Sequence, residues 1–263
     1  MKVTYFPGCT LRTKAKDLDK YARSCCEILG ITLEEPENWQ CCGGVFTTAR
    51  DEIATKLSSI RALADAEKKN QILTTVCSAC HNVIKQTNHA FTTDAEFASK
   101  VNNYMGEENA YGGSTKVLHY LELLRDVVGF DKVKEKTANP LAGKKIAAYY
   151  GCLLLRPGNV MQMDDPENPS IMEDLIRALG GEPVIYPARN ECCGGYIALE
   201  NQASAKARST KVTDSAINHG ADIIVTACPL CRYNLIKNGS TIPVVYITEL
   251  MAEAFGIKED GNE

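Results

Sequence analysis

The sequence predicts an α/β fold built from two pseudo-symmetric repeats, each a small parallel sheet flanked by helices. Three observations carry this reading. A cysteine pattern is written twice: Cys9, Cys41-Cys42-Gly43-Gly44 and Cys77-Ser78-Ala79-Cys80, then Cys152, Cys192-Cys193-Gly194-Gly195 and Cys228-Pro229-Leu230-Cys231. In both copies 34 residues separate the adjacent pair from the CxxC. The segments around them match as well: "YFPGC" with "YYGC", "ILTTVCSAC" with "IIVTACPLC", and "HYLELL" with "YITELM". Such agreement marks an internal duplication. Finally, short apolar runs alternate with amphipathic stretches, as βα units do.

Taken in chain order, "KVTYF" and "KKIAAYY" read as buried first strands, each leading to a cysteine. Helical stretches follow and end at Gly30 and at Gly180-Gly181, where glycine suits a helix C-terminus. "ITLEE" and "EPVIY" are short second strands that lead to the two CCGG segments. Long helices are expected over about 45–69 and 202–219. "ILTTV" and "DIIVTA" are third strands running into the CxxC pairs, and "KVL" and "PVVY" are fourth strands before a last helix. A linker around Asn139 divides the chain into repeats 1–138 and 139–263. In an open parallel sheet the carboxyl ends of the strands share one edge. The five cysteines of each repeat therefore converge there.

Bulk properties exclude several classes. A formal net charge of −4 gives no basic surface for nucleic acid. The longest apolar runs, such as Ala221–Ala227, are too short to span a bilayer. The start "MKVTYFPGCT" lacks the apolar stretch of a secretory signal, so a cytoplasmic protein is expected. In that compartment twelve cysteines point to metal or redox chemistry rather than to disulfides.

Three chemistries compete for the thiols. Zinc takes four ligands, leaves a fifth thiol over, and is awkward for adjacent cysteines. A dithiol at the CxxC leaves the CC pair unexplained. An iron–sulfur cluster fits better, because several irons share neighbouring thiolates. The double glycines allow positive φ and close backbone approach, and a helix opening there would favour cluster charge.

The ten-cysteine pattern resembles the duplicated cysteine-rich "CCG" domain family, over nearly the whole chain. That family includes the B subunit of heterodisulfide reductase and iron–sulfur subunits of glycolate and lactate oxidases. The stretch 149–170, "YYGCLLLRPGNVMQMDDPENPS", resembles the heterodisulfide reductase B subunit in particular. The resemblance implies two noncubane [4Fe-4S] clusters. Cys9, Cys41, Cys42, Cys77 and Cys80 would hold one, and Cys152, Cys192, Cys193, Cys228 and Cys231 the other. It further implies a disulfide substrate cleaved between them. Electrons would come from a ferredoxin-like C subunit, itself fed by a flavin-containing A subunit of the same complex. The chain departs from the methanogen form at Gly43, where proline is usual, and at Leu153, where histidine is usual. Substrate identity therefore does not carry over. The chain has neither a C-x2-C-x2-C run nor a G-x-G-x-x-G fingerprint, so electrons must come from a partner. A purely electron-carrying subunit is the other functional reading.

Other conspicuous residues have plainer readings. Cys25 and Cys26 lie on an apolar helical stripe and are expected in the core. Trp39 is expected to pack, and His119, aligned with Tyr246, to make a structural hydrogen bond. His81 aligns with Arg232, so a shared role would be electrostatic; Arg12 and Arg156 are candidates to grip an anionic substrate tail.

Overall fold

A computed structural model describes residues 1–37, 39–44 and 52–257. Each repeat contributes one four-stranded, all-parallel sheet. In the first, β1 (Lys2–Tyr5), β2 (Thr32–Glu34), β3 (Leu73–Thr75) and β4 (Val117–His119) lie in the order β2-β1-β3-β4. In the second, β5 (Lys145–Tyr149), β6 (Glu182–Val184), β7 (Ile223–Thr226) and β8 (Val244–Tyr246) lie in the order β6-β5-β7-β8. Every expected strand is present, and the two strand orders are the same.

The helices of the first repeat are α1 (Gly8–Thr13), α2 (Lys16–Ile28), α3 (Glu52–Lys68), α4 (Ser78–Thr93), α5 (Ala95–Met105), α6 (Tyr120–Glu122) and α7 (Phe130–Glu135). A π-helical turn, Leu123–Val128, joins the last two. The second repeat has α8 (Gly158–Met161), α9 (Ile171–Ala178), α10 (Gln202–Asn218), α11 (Pro229–Lys237) and α12 (Ile247–Phe255). Residues 45–51 of the expected helix over 45–69 lie outside the described residues. α2 and α9 stop where expected: Gly30 and Gly180 adopt φ of +79° and +82°.

The repeats are interlocked rather than strung apart. α12 packs on α2, where the Thr248 hydroxyl donates to Leu18 O at 3.1 Å, and α7 packs on α9. The last helix of each repeat thus covers the first long helix of the other. Apolar burial follows suit, since one core cluster takes Val3, Leu29 and Leu63 from the first repeat with Leu175, Leu250 and Met251 from the second. Cys25 and Cys26 are fully buried within it, and Cys26 Sγ donates to the Tyr120 hydroxyl at 3.4 Å. They pack as small apolar groups, and burial raises both thiol pKa values, that of Cys26 to about 12.

Candidate metal centre

The strand ends bring five sulfurs together in each repeat, and in the same order. In the first, Cys41 Sγ lies 3.7 Å from Cys9 Sγ, and Cys42 Sγ lies 3.3 Å from Cys80 Sγ. S–H···S contacts between Cys41 and Cys42 and between Cys80 and Cys77 complete the string. In the second, Cys152 meets Cys192, Cys192 meets Cys193, Cys193 Sγ lies 3.5 Å from Cys231 Sγ, and Cys231 meets Cys228. The outer ends face solvent: Cys9 and Cys41 are exposed and Cys152 and Cys192 half-buried, whereas the CxxC cysteines are buried. All ten candidate residues are thus gathered into two sets.

Five thiols in contact cannot all ionise, so the charge settles where neighbours donate S–H bonds. Cys42 is held down to about 3 by the thiols of Cys41 and Cys80, and Cys192 to about 2 by those of Cys152 and Cys193. Cys41 and Cys80, as donors to that thiolate, are pushed up, and Cys152 is pushed up beside Cys192. In each repeat the neighbouring thiols thus hold sulfur toward the thiolate form that a metal ligand requires.

Glycine makes the room. In the CCGG segments Gly43 and Gly194 take φ of +78° and +81°. This turns the backbone N–H groups onto sulfur: Gly194 N donates to Cys192 Sγ at 3.3 Å and Gly195 N to Cys193 Sγ at 3.4 Å. Gly43 and Gly44 do the same for Cys41 and Cys42. In the second repeat the segment opens a short 3-10 turn, Gly195–Ile197, and α10 begins only at Gln202. The expected helix N-terminus at the double glycine is therefore replaced there by this nest of amides. Cys77 and Cys228 instead stand at the N-termini of α4 and α11.

Sequence reasoning missed a second pair of glycines, those preceding the leading cysteines. A Cβ on Gly8 would fall 2.8 Å from Cys80 Sγ, and one on Gly151 3.3 Å from Cys231 Sγ. The signal was present in the repeated Gly-Cys of "PGC" and "YGC".

The two sets meet across the repeats. Ser78 donates to Ala227 O through its N–H, at 3.1 Å, and its hydroxyl, at 2.8 Å. The Ala79 N–H reaches Cys228 sulfur. The buried Tyr246 hydroxyl lies 2.7 Å from Val76 O and 3.0 Å from Ala227 O, the carbonyls that precede the two CxxC pairs. Tyr196 lines a cleft of about 20 Å³ with Cys152, Cys192 and Cys228, and its hydroxyl donates to Gly44 O of the other repeat at 2.6 Å.

His119 makes the structural hydrogen bonds expected of it. Its Nδ1 accepts from Leu121 N at 3.2 Å, which leaves the proton on Nε2, 3.2 Å from Val76 O. Burial, with Lys85 nearby, lowers its pKa to about 3. The unfolded chain takes up this proton near pH 6.5 and the folded chain does not, so stability is full above pH 6.5 and falls as the pH drops toward 3. Relative to His119→Gln, the native chain should lose about 1.4 kcal/mol per pH unit below 6.5, read from urea unfolding at pH 7, 6 and 5. The comparison with the variant removes the opposing contribution of Glu122, whose raised pKa acts in the other direction.

His81 is fully buried and neutral, its pKa lowered by burial and by His119. Its Nε2 lies 3.3 Å from Glu122 Oε2 without making a hydrogen bond. Arg232 holds Glu249 through two bonds of 3.1 and 2.9 Å. Both residues face a carboxylate, yet only Arg232 carries charge, which removes the expected shared electrostatic role. Arg156 spends its fork on Asn190 O, Pro166 O and Glu167, so it is a loop tie rather than a free anion grip. Arg12 is exposed and reaches Glu35 at 3.4 Å. Trp39 packs edge-on to Phe6 at 5.3 Å and donates to Glu35 at 3.0 Å.

Among the described residues, no group of three or more His, Cys, Asp and Glu is arranged to hold a metal ion. Five thiols per set exceed the four of a tetrahedral ion, and the Cβ-free glycines border the sulfurs themselves. The donor set fits a multi-iron cluster.

Comparison with known proteins agrees with this geometry. The family model described as "Cysteine-rich domain", CCG, matches twice, at residues 3–85 and 146–236. A Wolinella succinogenes protein named 8-methylmenaquinol:fumarate reductase membrane anchor subunit is 31% identical, covering 96% of this chain and 92% of its own. An Archaeoglobus profundus protein, named as like the B subunit of heterodisulfide reductase, is 29% identical, covering 97% and 91%. The B subunit of the ferredoxin/F(420)H(2)-dependent CoB-CoM heterodisulfide reductase of Methanosarcina acetivorans is 27% identical, covering 98% and 91%. A hypothetical protein of Helicobacter pylori shares the fold at a TM-score of 0.73 and 14% identity; this chain spans 98% of itself but about half, 49%, of that structure. No helix among the described residues is long and apolar enough to cross a membrane. The chain belongs to the cysteine-rich CCG domain family and carries two copies of that domain.

Proposed function

We propose that this chain is the disulfide-reducing subunit of a heterodisulfide reductase-type complex. Each five-cysteine set would hold one noncubane [4Fe-4S] cluster: Cys9, Cys41, Cys42, Cys77 and Cys80 in repeat 1–138, and Cys152, Cys192, Cys193, Cys228 and Cys231 in repeat 139–263. The observation that carries the reading is the identical five-sulfur string in both repeats, joined back to back through Ser78, Ala79 and Tyr246. A disulfide has two nearly equivalent ends, and two equivalent sites suit them. The relatives named for the heterodisulfide reductase B subunit support the same reaction class.

The reaction is the cleavage of one S–S bond by two electrons and two protons, giving two thiols. When bound, the clusters supply one-electron redox chemistry. The protein's residues do the rest. Cys42 and Cys192, whose thiols their neighbours hold toward ionisation, would be among the ligands of the two clusters. Amides of the CCGG nests offset negative charge on sulfur. Buried Tyr246 and Ser78 fix the spacing of the two sets. Electrons come from a ferredoxin-like iron–sulfur partner, which a flavin-bearing partner feeds in turn.

A second reading, a non-catalytic electron carrier between a flavin partner and an acceptor, is favoured by the relative named as part of a quinol:fumarate reductase. The test uses the iron-loaded chain under anaerobic conditions with reduced methyl viologen. Glutathione disulfide and the coenzyme M–coenzyme B heterodisulfide serve as probes. Two thiols formed per disulfide, with a changed EPR signal on adding disulfide to the viologen-reduced chain, support reduction here. An iron-loaded chain that gives neither, yet passes electrons from reduced methyl viologen to an artificial acceptor, favours the electron-carrier reading.

A further inference from the structure

Equivalent faces of α4 and α11 are treated unequally. Cys77 and Cys228 are 151 residues apart, which pairs Asn82 with Tyr233, Lys85 with Ile236 and Gln86 with Lys237. In the first repeat this face is covered by polypeptide. Asn82 is 4% exposed and donates to Leu153 O at 2.8 Å and Arg156 O at 2.7 Å, and Lys85 reaches Met161 O. The cover is the turn 153–156 with α8, contributed by the second repeat. The first repeat has no counterpart to offer in return, because α1 runs into α2 with only Lys14 and Ala15 between them.

Among the described residues the corresponding face of α11 is therefore bare, and it is apolar. Tyr233 is 58% exposed, Ile236 48% and, beside them, Leu199 93%. Lone exposed apolar residues are ordinary, but a contiguous group rimmed by polar residues marks an interaction site. An adjoining cleft of about 400 Å³ is lined by Leu199, Tyr233 and Lys237 together with the polar Asn234 and Asn238. It adjoins the second thiol cleft, since Gly195, Tyr196 and Leu230 line both. Among the described residues Lys237 is the one charged group in its lining, and it rests over the Tyr233 ring, 5.6 Å from the centroid.

We propose that this face is where the electron-donating protein subunit docks, presenting an apolar segment with a carboxylate to Lys237. The partner segment would cover α11 as turn 153–156 and α8 cover α4, and would place its donor beside the Cys152–Cys228 set. A protein fits better than a small molecule because Leu199, Tyr233 and Ile236 keep about half or more of their surface in solvent, beyond what the cleft itself encloses. The proposal rests on the reading that this set holds a redox cluster, which the iron content of the same preparation reports independently.

The test puts photoreactive p-benzoylphenylalanine in place of Tyr233 in the tagged chain, expressed in its source organism, and irradiates the intact complex. The expected result is an adduct to one other polypeptide, through a peptide holding apolar residues and Asp or Glu. The same group at Tyr104, 69% exposed on the first repeat, should give none. Tyr233→Asp and Lys237→Glu should each lower retention of that partner, and its one-electron reduction of the chain, at least tenfold. Iron content and reduction by dithionite should not change. No adduct at position 233, an adduct to a second copy of this chain, or unchanged retention in both variants would overturn the proposal.

Discussion

Replacing Glu122 with alanine is expected to destabilise the chain by about 3–5 kcal/mol, the cost of leaving a buried charge without its partner. Glu122 is 3% exposed. One carboxylate oxygen lies 3.1 Å from Lys85 Nζ, and the other accepts from His119 N at 2.7 Å, closing the cap of α6. Burial raises its pKa, and Lys85 and the His119 N–H work against that. Removing it leaves the Lys85 ammonium on α4, the helix that carries Cys80, without its counter-charge and with only Met161 O to accept from it, and leaves the His119 N–H unpaired. A loss of 3–5 kcal/mol corresponds to a fall in Tm of roughly 10 °C for a chain of this size, measured by circular dichroism at pH 7.5 under reducing conditions. Glu249 occupies the equivalent position, capping α12 through Tyr246 N at 2.6 Å and pairing with Arg232, but its side chain is 25% exposed. Glu249→Ala should cost only about 1 kcal/mol, because water can take over the Arg232 charge. Equal losses in the two variants would show that burial is not the deciding factor.

Gly8→Ala should empty the first thiol set while leaving the second filled. Its φ of +77° disfavours any side chain by roughly 1–2 kcal/mol, and the added methyl would fall 2.8 Å from Cys80 Sγ. Either Cys80 or the Gly8-Cys9 backbone must move, and both carry ligands of the proposed cluster. Gly30→Ala is the control: φ is +79°, but only Lys132 Nζ, at 3.8 Å, lies near the new methyl. Both variants bear the same backbone strain, so iron loss in Gly8→Ala alone isolates the clash with sulfur. Gly151→Ala, with 3.3 Å to Cys231 Sγ, should lose less iron than Gly8→Ala. If all three variants bind iron alike, the glycines serve the fold and not the site.

Much of this fold was legible because the repeat exposes itself. Strand-cysteine junctions such as "ILTTVC" and "IIVTAC" fix both secondary structure and the sheet edge on which the thiols gather. Burial of Cys25 and Cys26 followed from the stripe shared with Leu18 and Ala22. The rest depends on contacts far apart in sequence. Nothing near Glu122 announces Lys85 or His81, and the pairing of Ser78 with Ala227 spans 149 residues. Arg156 looked free because its partners Asn190, at the end of the 3-10 turn Pro187–Asn190, and Pro166 lie 34 and 10 residues away, where no local pattern announces them. The exchange of last helices between repeats was hidden for the same reason: α12 and α2 each have an apolar face, and neither names the other.

The central claim is that the ten cysteines form two separate cluster sites. Its most direct test is iron and acid-labile sulfide per chain, measured anaerobically in the native chain, in Cys42→Ser and in Cys193→Ser. Two four-iron clusters predict about eight irons and about eight sulfides, falling to about half in either variant and to almost none in the double variant. Zinc without sulfide, or loss of all the iron on a single substitution, would contradict the account.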